Sequence, residues 1–177
     1  MTHLLDALFR TDAMREIFSD RGRLQGMLDF EAALARAEAR LGVIPKVAAP
    51  AIQVQCRAEL FDIEALARAA APAGNTAIPM VKALTALVGK KDRQAAGYVH
   101  WGATSQDAMD TGLVLQLRNA LDLIDADLAR FADALARLEP GPRVGREPIP
   151  FVMPGADHRR SVDLGQPVHM DDFEAEF

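Results

Sequence analysis

Several features that define whole classes of protein are scarce in this chain. It contains a single cysteine, Cys56, which excludes an internal disulfide framework and leaves no second thiol for a zinc site. It shows no basic-then-apolar leader and no apolar run near the ~18 residues that cross a bilayer. The formal charge is -5, without the basic stripe that nucleic acid or an anionic membrane requires. We therefore expect a cytoplasmic protein that binds neither nucleic acid nor membrane.

Strand patterns are scarce as well, because strictly alternating runs rich in valine and isoleucine are missing. Half of the 177 residues are hydrophobic, and alanine, leucine, arginine and glutamate dominate the first 139. This composition favours helices and supports a hydrophobic core. We predict an all-α fold with three parts: an N-terminal helical domain over 1–102, a first long bundle helix over 103–139, and a proline-rich tail over 140–177.

The tail differs from the rest of the chain in composition. Six of the ten prolines lie between Pro140 and Pro167, and the leucine-alanine periodicity stops after Leu138. Proline, glycine and charge at this density predict an irregular or disordered segment. His158 and His169 lie in it among aspartates, but their spacing matches no compact metal template, so we predict no metal site.

Helical periodicity divides the remainder into short and long segments. Asp62 is a good N-cap, Gly42 and Pro45 end one helix, and Ser19 to Gly22 interrupt the pattern before it. We predict one or two short helices within 1–22, then helices over 23–41, 47–60, 63–71 and from Pro79 onward.

Glu31 lies on the apolar face of the 23–41 helix, between Leu28 and Leu34. A buried carboxylate needs a partner or a shifted pKa. One interpretation is a structural ion pair with an arginine of a neighbouring helix, and the other is a site residue.

The densest polar chemistry lies just before the longest apolar repeat. Thr104 and Asp107 have the T-x-x-D spacing of a capping box, which predicts that a helix begins here. Apolar residues then recur in steps of three and four, as in a seam that faces other helices. This seam consists of Leu117, Leu121, Ile124, Leu128, Phe131, Leu135 and Leu138.

A helix N-terminus presents free N–H groups and the positive end of the helix dipole, so Thr104 and Ser105 predict an anion site. His100 is able to donate a proton or bind the anion, and Trp101 is able to wall a pocket. The alternative is that Thr104 is only a cap, Trp101 is core and His100 is a satisfied polar residue.

Asn75 and Thr76 mark a second polar entrance to a helix, for which loop and cap chemistry is the alternative. No glycine-rich phosphate loop or dinucleotide fingerprint occurs, so the sequence gives no support for a nucleotide cofactor.

The stretch His-Trp-Gly-Ala-Thr-Ser-Gln-Asp at 100–107, with Asp110 and Thr111 after it, resembles the first signature block of the fumarase/aspartase superfamily. Supporting stretches lie at 27–35, 41–45 and 74–84, so the resemblance runs from about Thr11 to Leu138. Trp101 and the 74–84 stretch favour the branch that closes a muconate tricarboxylate to a lactone. The alternative is the branch that cleaves adenylosuccinate.

This resemblance implies an all-α, cofactor-free enzyme that acts on a small carboxylate substrate. It implies a homotetramer in which each active site is assembled from three subunits. By the match of motif positions, Thr104, Ser105 and Gln106 bind a substrate carboxylate and His100 assists at the anion. Asn75 and Thr76 line the same pocket.

Two further signature blocks that the superfamily needs are missing from the sequence. One is a glycine-arginine-threonine block followed by a glutamine-histidine stretch with a catalytic histidine. Residues 144–146 resemble this block only weakly. The other is a glycine-serine-serine-methionine-proline loop with the general-base serine. We therefore expect an inactive chain that is truncated, with a frameshift after codon 138 as the suspected origin, or else a non-catalytic helical self-association module.

Overall fold

A computed structural model of the chain describes residues 11–138, and within that range it contains helices and no strand. The helices are α1 (Asp12–Ile17), α2 (Asp20–Leu41), α3 (Ala48–Gln53), α4 (Ile63–Ala73), α5 (Ala77–Gly89) and α6 (Ser105–Leu138), with two short 3-10 helices at Ala58–Leu60 and Ala95–Tyr98. The all-α prediction is confirmed. Within 11–138 no helix combines the length and apolar character that crossing a membrane requires.

Helix α2 is the central element of the N-terminal part. The Ser19 hydroxyl accepts a hydrogen bond from the backbone N–H of Gly22 at 3.0 Å, and Gly42 ends the helix with φ +76°. Glycine suits this left-handed position because it has no Cβ. Leu24, Leu28 and their helical neighbours bury one face of α2 against α3 and the 3-10 helix at Ala58–Leu60.

The core lies between α2, α3 and α5. Its most deeply buried apolar side chains are those of Leu28, Ile52, Met80, Leu84 and Val88. These aliphatic side chains come from three helices, and burial of each contributes about 1.5–3 kcal/mol. The core therefore fixes α2 and α5 as a rigid base for the polar segments that follow them.

The first half of α6 docks on this base through small side chains. Its buried residues are Ala108, Gly112, Gln116 and Ala120, one per helical turn. A Cβ added to Gly112 would lie 2.9 Å from the backbone N of Met27, and one added to Gly26 would lie 2.7 Å from the Gly112 carbonyl oxygen. The two helix backbones thus approach each other closely at this glycine pair.

The second half of α6 exposes the apolar seam that the sequence predicts. The seven seam residues from Leu117 to Leu138 have exposed fractions between 43% and 77%. The predicted long helix is confirmed, and within residues 11–138 nothing covers its seam.

The boundaries of α2, α3 and α4 differ from the predictions. The predicted break at 19–22 is confirmed at Ser19 but is shorter than predicted, because the Ser19 hydroxyl caps α2, which begins at Asp20. Gly22 fits inside this helix, where a Cβ would lie 2.3 Å from the Ile17 carbonyl oxygen. The predicted helix over 47–60 is split. The Gln25 side chain holds the break by accepting from the N–H of Ala58 at 2.9 Å and donating to the carbonyl of Cys56 at 3.2 Å.

Pro72 lies inside α4 and does not end it. Proline at this position removes one hydrogen bond in the last turn, and Gly74, with φ +75°, ends the helix by donating to the carbonyl of Ala70 at 3.0 Å. The predicted division at 102/103 and 139/140 stays a prediction. The tail over 140–177, with His158 and His169, lies outside the described residues.

Candidate functional site

The start of α6 is built by reciprocal hydrogen bonds between Thr104 and Asp107. The Asp107 carboxylate accepts from the Thr104 backbone N–H at 2.8 Å and from the Thr104 hydroxyl at 2.9 Å. The Thr104 hydroxyl oxygen in turn lies 3.4 Å from the backbone N of Asp107. The predicted capping box is therefore confirmed, and it fixes where the helix begins.

The cap leaves donors free at the helix end. Within residues 11–138 the backbone N–H groups of Ser105 and Gln106 have no acceptor. Ser105 is partly buried and is the first helical residue, so its hydroxyl and N–H lie at the positive end of a 34-residue helix. The Gln106 side chain donates along the helix surface to Asp110 at 2.5 Å. This arrangement is suited to an anion such as a carboxylate.

Asp107 is ionised throughout the neutral range. Hydrogen bonds from the Thr104 N–H and hydroxyl hold the pKa of its carboxyl below the ordinary value, and His100 lowers it further.

His100 has a strained backbone and a buried partner. Its φ is +58°, a left-handed conformation that residues other than glycine rarely adopt. Its Nδ1 lies 2.6 Å from Oε1 of Glu31, which is 1% exposed on the core face of α2. Strained positions of this kind concentrate at functional sites.

The partner of Glu31 is thus a histidine, which corrects the expectation of an arginine on a neighbouring helix. The physical reason is that the 3-10 segment Ala95–Tyr98 packs on α3 and α5, which share the core with α2, and so brings His100 to Glu31 across 69 residues of sequence. Burial raises the pKa of the Glu31 carboxyl, and the hydrogen bond and charge of His100 act in the opposite direction.

A second carboxylate, Glu38, was not predicted as part of this region. It lies two helical turns after Glu31 on the same face, is 9% exposed, and burial raises its pKa. Among residues 11–138, Oε2 of Glu31 and Oε2 of Glu38 have no hydrogen-bond partner. A Cβ on Gly102 would come within 4.0 Å of Glu38. In the sequence, the seven-residue spacing between Glu31 and Glu38 indicates that the two carboxylates share one face of the helix.

Trp101 is not core, because half of its surface is exposed. Its ring contacts Tyr98 at 5.8 Å between centroids, and both rings line a surface groove with Pro45 and Val47. This placement agrees with the interpretation that Trp101 walls a pocket.

Asn75 and Thr76 lie at the start of α5 and have local partners. The Asn75 side chain accepts from the Ile78 N–H at 2.9 Å, as a helix cap does. The Thr76 hydroxyl contacts Sδ of Met27 at 3.7 Å and lines a cavity of about 110 Å³ with Leu24 and Met80. The structure therefore shows cap chemistry for Asn75, and a role for either residue at the start of α6 stays a prediction.

Cys56 behaves as a buried apolar side chain. It is 5% exposed, and burial raises its pKa to about 12. Among residues 11–138 no three histidine, cysteine or carboxylate side chains cluster in a way that would hold a metal ion.

Comparison with known proteins places these features in one family. A family model described as a lyase matches residues 8–140. The 3-carboxy-cis,cis-muconate cycloisomerase of Pseudomonas putida is 65% identical over 134 residues, covering 76% of this chain and 32% of the relative. The crystal structure of the 3-carboxy-cis,cis-muconate lactonizing enzyme from Pseudomonas putida matches with a TM-score of 0.75 at 64% identity, over 77% of this chain and 31% of that one.

The 3-carboxy-cis,cis-muconate cycloisomerase of Bradyrhizobium diazoefficiens is 50% identical over 172 residues, covering 92% of this chain and 38% of the relative. A match of that extent continues past Leu138, which corrects the expectation that the resemblance stops there. The chain spans about a third of the length of the curated relatives it matches.

Proposed function

Because the chain belongs to the lyase family whose model matches residues 8–140, we propose that it supplies the carboxylate-binding block of a cycloisomerase. The reaction is the closure of a muconate tricarboxylate to a carboxymuconolactone. The observation that carries the proposal is the pair of free N–H groups at Ser105 and Gln106, at the positive end of α6 and five and six residues after His100, which pairs with Glu31. The names of the relatives supply the substrate class.

In this reaction one carboxylate oxygen adds to a carbon of an activated double bond, and a proton adds to the neighbouring carbon. The C–O bond of the lactone forms and no atom leaves, so the step needs no redox cofactor. Ser105 and Gln106 hold a second carboxylate through hydrogen bonds, and Thr104, whose N–H and hydroxyl both donate to Asp107, fixes the helix end that presents them. His100 assists at that anion, and Asn75 and Thr76 line the pocket.

We further propose that the 177-residue chain alone does not turn over substrate. The blocks with the catalytic histidine and the general-base serine are missing from its sequence. Binding is therefore the activity to measure in this chain, and lactone formation by purified protein would contradict this part of the proposal.

The exposed seam of α6 supports a homo-oligomer. Seven apolar side chains with exposed fractions of 43% to 77% follow one face of the helix. Contiguous apolar patches of this kind mark interaction sites. We assign the seam to contact with further copies of the chain, with a tetramer as the expected assembly. A cytoplasmic location stays a prediction.

Titration of the ¹⁵N-labelled chain with cis,cis-muconate, at constant ionic strength, tests carboxylate binding. We expect saturable shifts of the Ser105 and Gln106 amide signals. Chloride at equal ionic strength and adenylosuccinate serve as comparison ligands, and stronger binding of adenylosuccinate would favour the alternative branch. Absence of a saturable shift with either organic ligand would contradict the proposed function.

Two variants distinguish the contribution of the Ser105 hydroxyl from that of the Ser105 backbone N–H. S105A removes the hydroxyl and keeps the N–H, whereas S105P also removes the N–H at a helix position that tolerates proline. We expect S105P to weaken muconate binding about tenfold or more, since a hydrogen bond to a charged group contributes about 1.5–3 kcal/mol. D20P, at the equivalent first position of α2, is the matched control and should leave binding unchanged.

A further inference from the structure

The bond between His100 and Glu31 joins two distant parts of the chain at one ring nitrogen. Nδ1 of His100 lies 2.6 Å from Oε1 of Glu31, and within residues 11–138 no hydrogen bond is made by Nε2. The His100 side chain is 14% exposed, so the ring is partly open to a bound molecule although one nitrogen is engaged inside.

We propose that Glu31 is a positioning residue that keeps the proton of His100 on Nδ1 and thereby leaves Nε2 as the nitrogen that meets the substrate. The hydrogen bond to His100 favours the ionised form of Glu31, and an ionised carboxylate is only an acceptor, so the nitrogen beside it carries hydrogen. The other nitrogen, Nε2, then carries the lone pair, and it donates to a substrate carboxylate once it takes up a proton from solvent, with Glu31 balancing the charge of the ring. The purpose assigned to Nε2 depends on the proposed function, whereas the proton position does not.

The location of Glu31 suits a positioning role. Its side chain is 1% exposed and extends from the 22-residue helix α2, whose face forms much of the core. A group on a packed helix holds its partner more precisely than a group on a loop. His100 itself lies in a connecting segment between the second 3-10 helix and α6.

The backbone of His100 supports the same conclusion. A φ of +58° at a residue other than glycine persists where surrounding contacts determine it. The bond to Glu31 is such a contact, because it ties the ring to the core while the backbone turns into Trp101 and Gly102. The conformation aims one particular side chain inward, and a glycine at this position would relieve the strain but lose the imidazole.

Glu38 provides an internal comparison. It lies on the same face of α2 and is also buried, but among residues 11–138 it makes no hydrogen bond to a histidine. A merely structural effect of removing a buried carboxylate should therefore appear at both positions, and an effect on the His100 proton only at Glu31.

Long-range ¹H–¹⁵N correlation spectra of the imidazole groups at pH 8 test the proposal in the 177-residue chain. His100 is assigned through its own backbone signals, which separates it from His3, His158 and His169. We expect hydrogen on Nδ1 in the unmodified protein, and this spectrum needs no variant. A bare Nδ1 with hydrogen on Nε2 would overturn the proposal.

The variants E31L and E38L then assign the cause. Leucine has a similar volume and removes the buried charge, which tends to leave stability intact. We expect E31L to transfer the proton to Nε2, the position that a free imidazole prefers, and E38L to leave the spectrum unchanged. Retention of hydrogen on Nδ1 in E31L would contradict a positioning role for Glu31.

Muconate titration of the same samples keeps the two proposals apart. If the unmodified chain shows hydrogen on Nδ1 but binds no muconate, the proposed function fails and the assignment of Glu31 stands. If muconate binds and E31L weakens it by about tenfold while E38L does not, both are supported.

Discussion

At the scale of single residues, the start of α6 depends on Thr104 and Asp107. The Asp107 carboxylate accepts hydrogen bonds from the Thr104 backbone N–H at 2.8 Å and from the Thr104 hydroxyl at 2.9 Å. These bonds are stronger to the ionised carboxylate than to the neutral carboxyl, which is why the pKa of Asp107 is lowered. The helix end that the proposed function requires is therefore sensitive to acid.

We expect D107N to destabilise the chain at pH 7 and to match the unmodified protein in strong acid. A carboxyl whose pKa is lowered by folding contributes stability above its unfolded value of about 3.9, and this contribution is lost as the pH falls through the folded value. Urea unfolding of both proteins between pH 7 and pH 2.5 measures the difference.

D125N is the control for this prediction, because Asp125 is exposed on the same helix and makes no hydrogen bond among the described residues. A difference between D107N and the unmodified chain that persists at pH 2.5 would contradict the cap as its source.

The cap could be predicted from sequence because its two residues are three positions apart and interact locally. The partner of Glu31 could not, because periodicity places Glu31 on a buried face but contains no information about which distant segment packs there. His100 is 69 residues away. Its pairing follows from the tertiary fold, and an arginine was only the commoner choice.

At the scale of elements, α2 and α6 meet at Gly26 and Gly112. Each glycine lies where a Cβ would come within 3.0 Å of the other helix's backbone. Local signals predicted both helices and the start of α6, but not this contact, because a glycine inside a helix has no local role that marks it. The same limit applies to Gln25, whose side chain splits the predicted 47–60 helix.

We expect G112A to destabilise the fold by about 1–3 kcal/mol, the usual cost of overpacking. The added Cβ would lie 2.9 Å from the backbone N of Met27, which cannot move without shifting α2. This cost exceeds the gain of about 1 kcal/mol that alanine brings to a helix interior.

G97A is the matched control for that measurement. No atom lies within 4 Å of a Cβ at Gly97, and its φ is not in the left-handed region. Thermal and urea unfolding should show G97A close to the unmodified protein. Equal stability of G112A and G97A would refute the tight crossing.

At the scale of the whole molecule, the described part of the chain has a packed base and one helix with an unpartnered apolar face. Apolar side chains cover that face from Leu117 to Leu138. The three-and-four spacing predicted a seam, and the structure confirms the helix. The identity of what covers the seam is not encoded in this spacing, because identical and different partners offer similar apolar surfaces.

We expect the unmodified chain to elute as an oligomer in size-exclusion chromatography with light scattering, and the double variant L121E/L128E to elute as a monomer. Two buried, unpaired carboxylates would each carry a large desolvation cost in the assembled seam.

R118E, which changes an exposed residue next to the seam, is the control and should keep the oligomer. A monomeric unmodified chain would contradict self-association through α6.

The glycine crossing has a mechanical consequence for any such assembly. The segment of α6 from Gly112 to Leu138 acts as a lever about 39 Å long at 1.5 Å per residue, so a tilt of about 5° at the crossing displaces its far end by about 3 Å. A sideways displacement of that size is about a third of the 8–10 Å that separates the axes of packed helices, enough to misalign the knobs of one seam with the holes of the next. Two residues without side chains therefore set the angle at which copies of this protein meet.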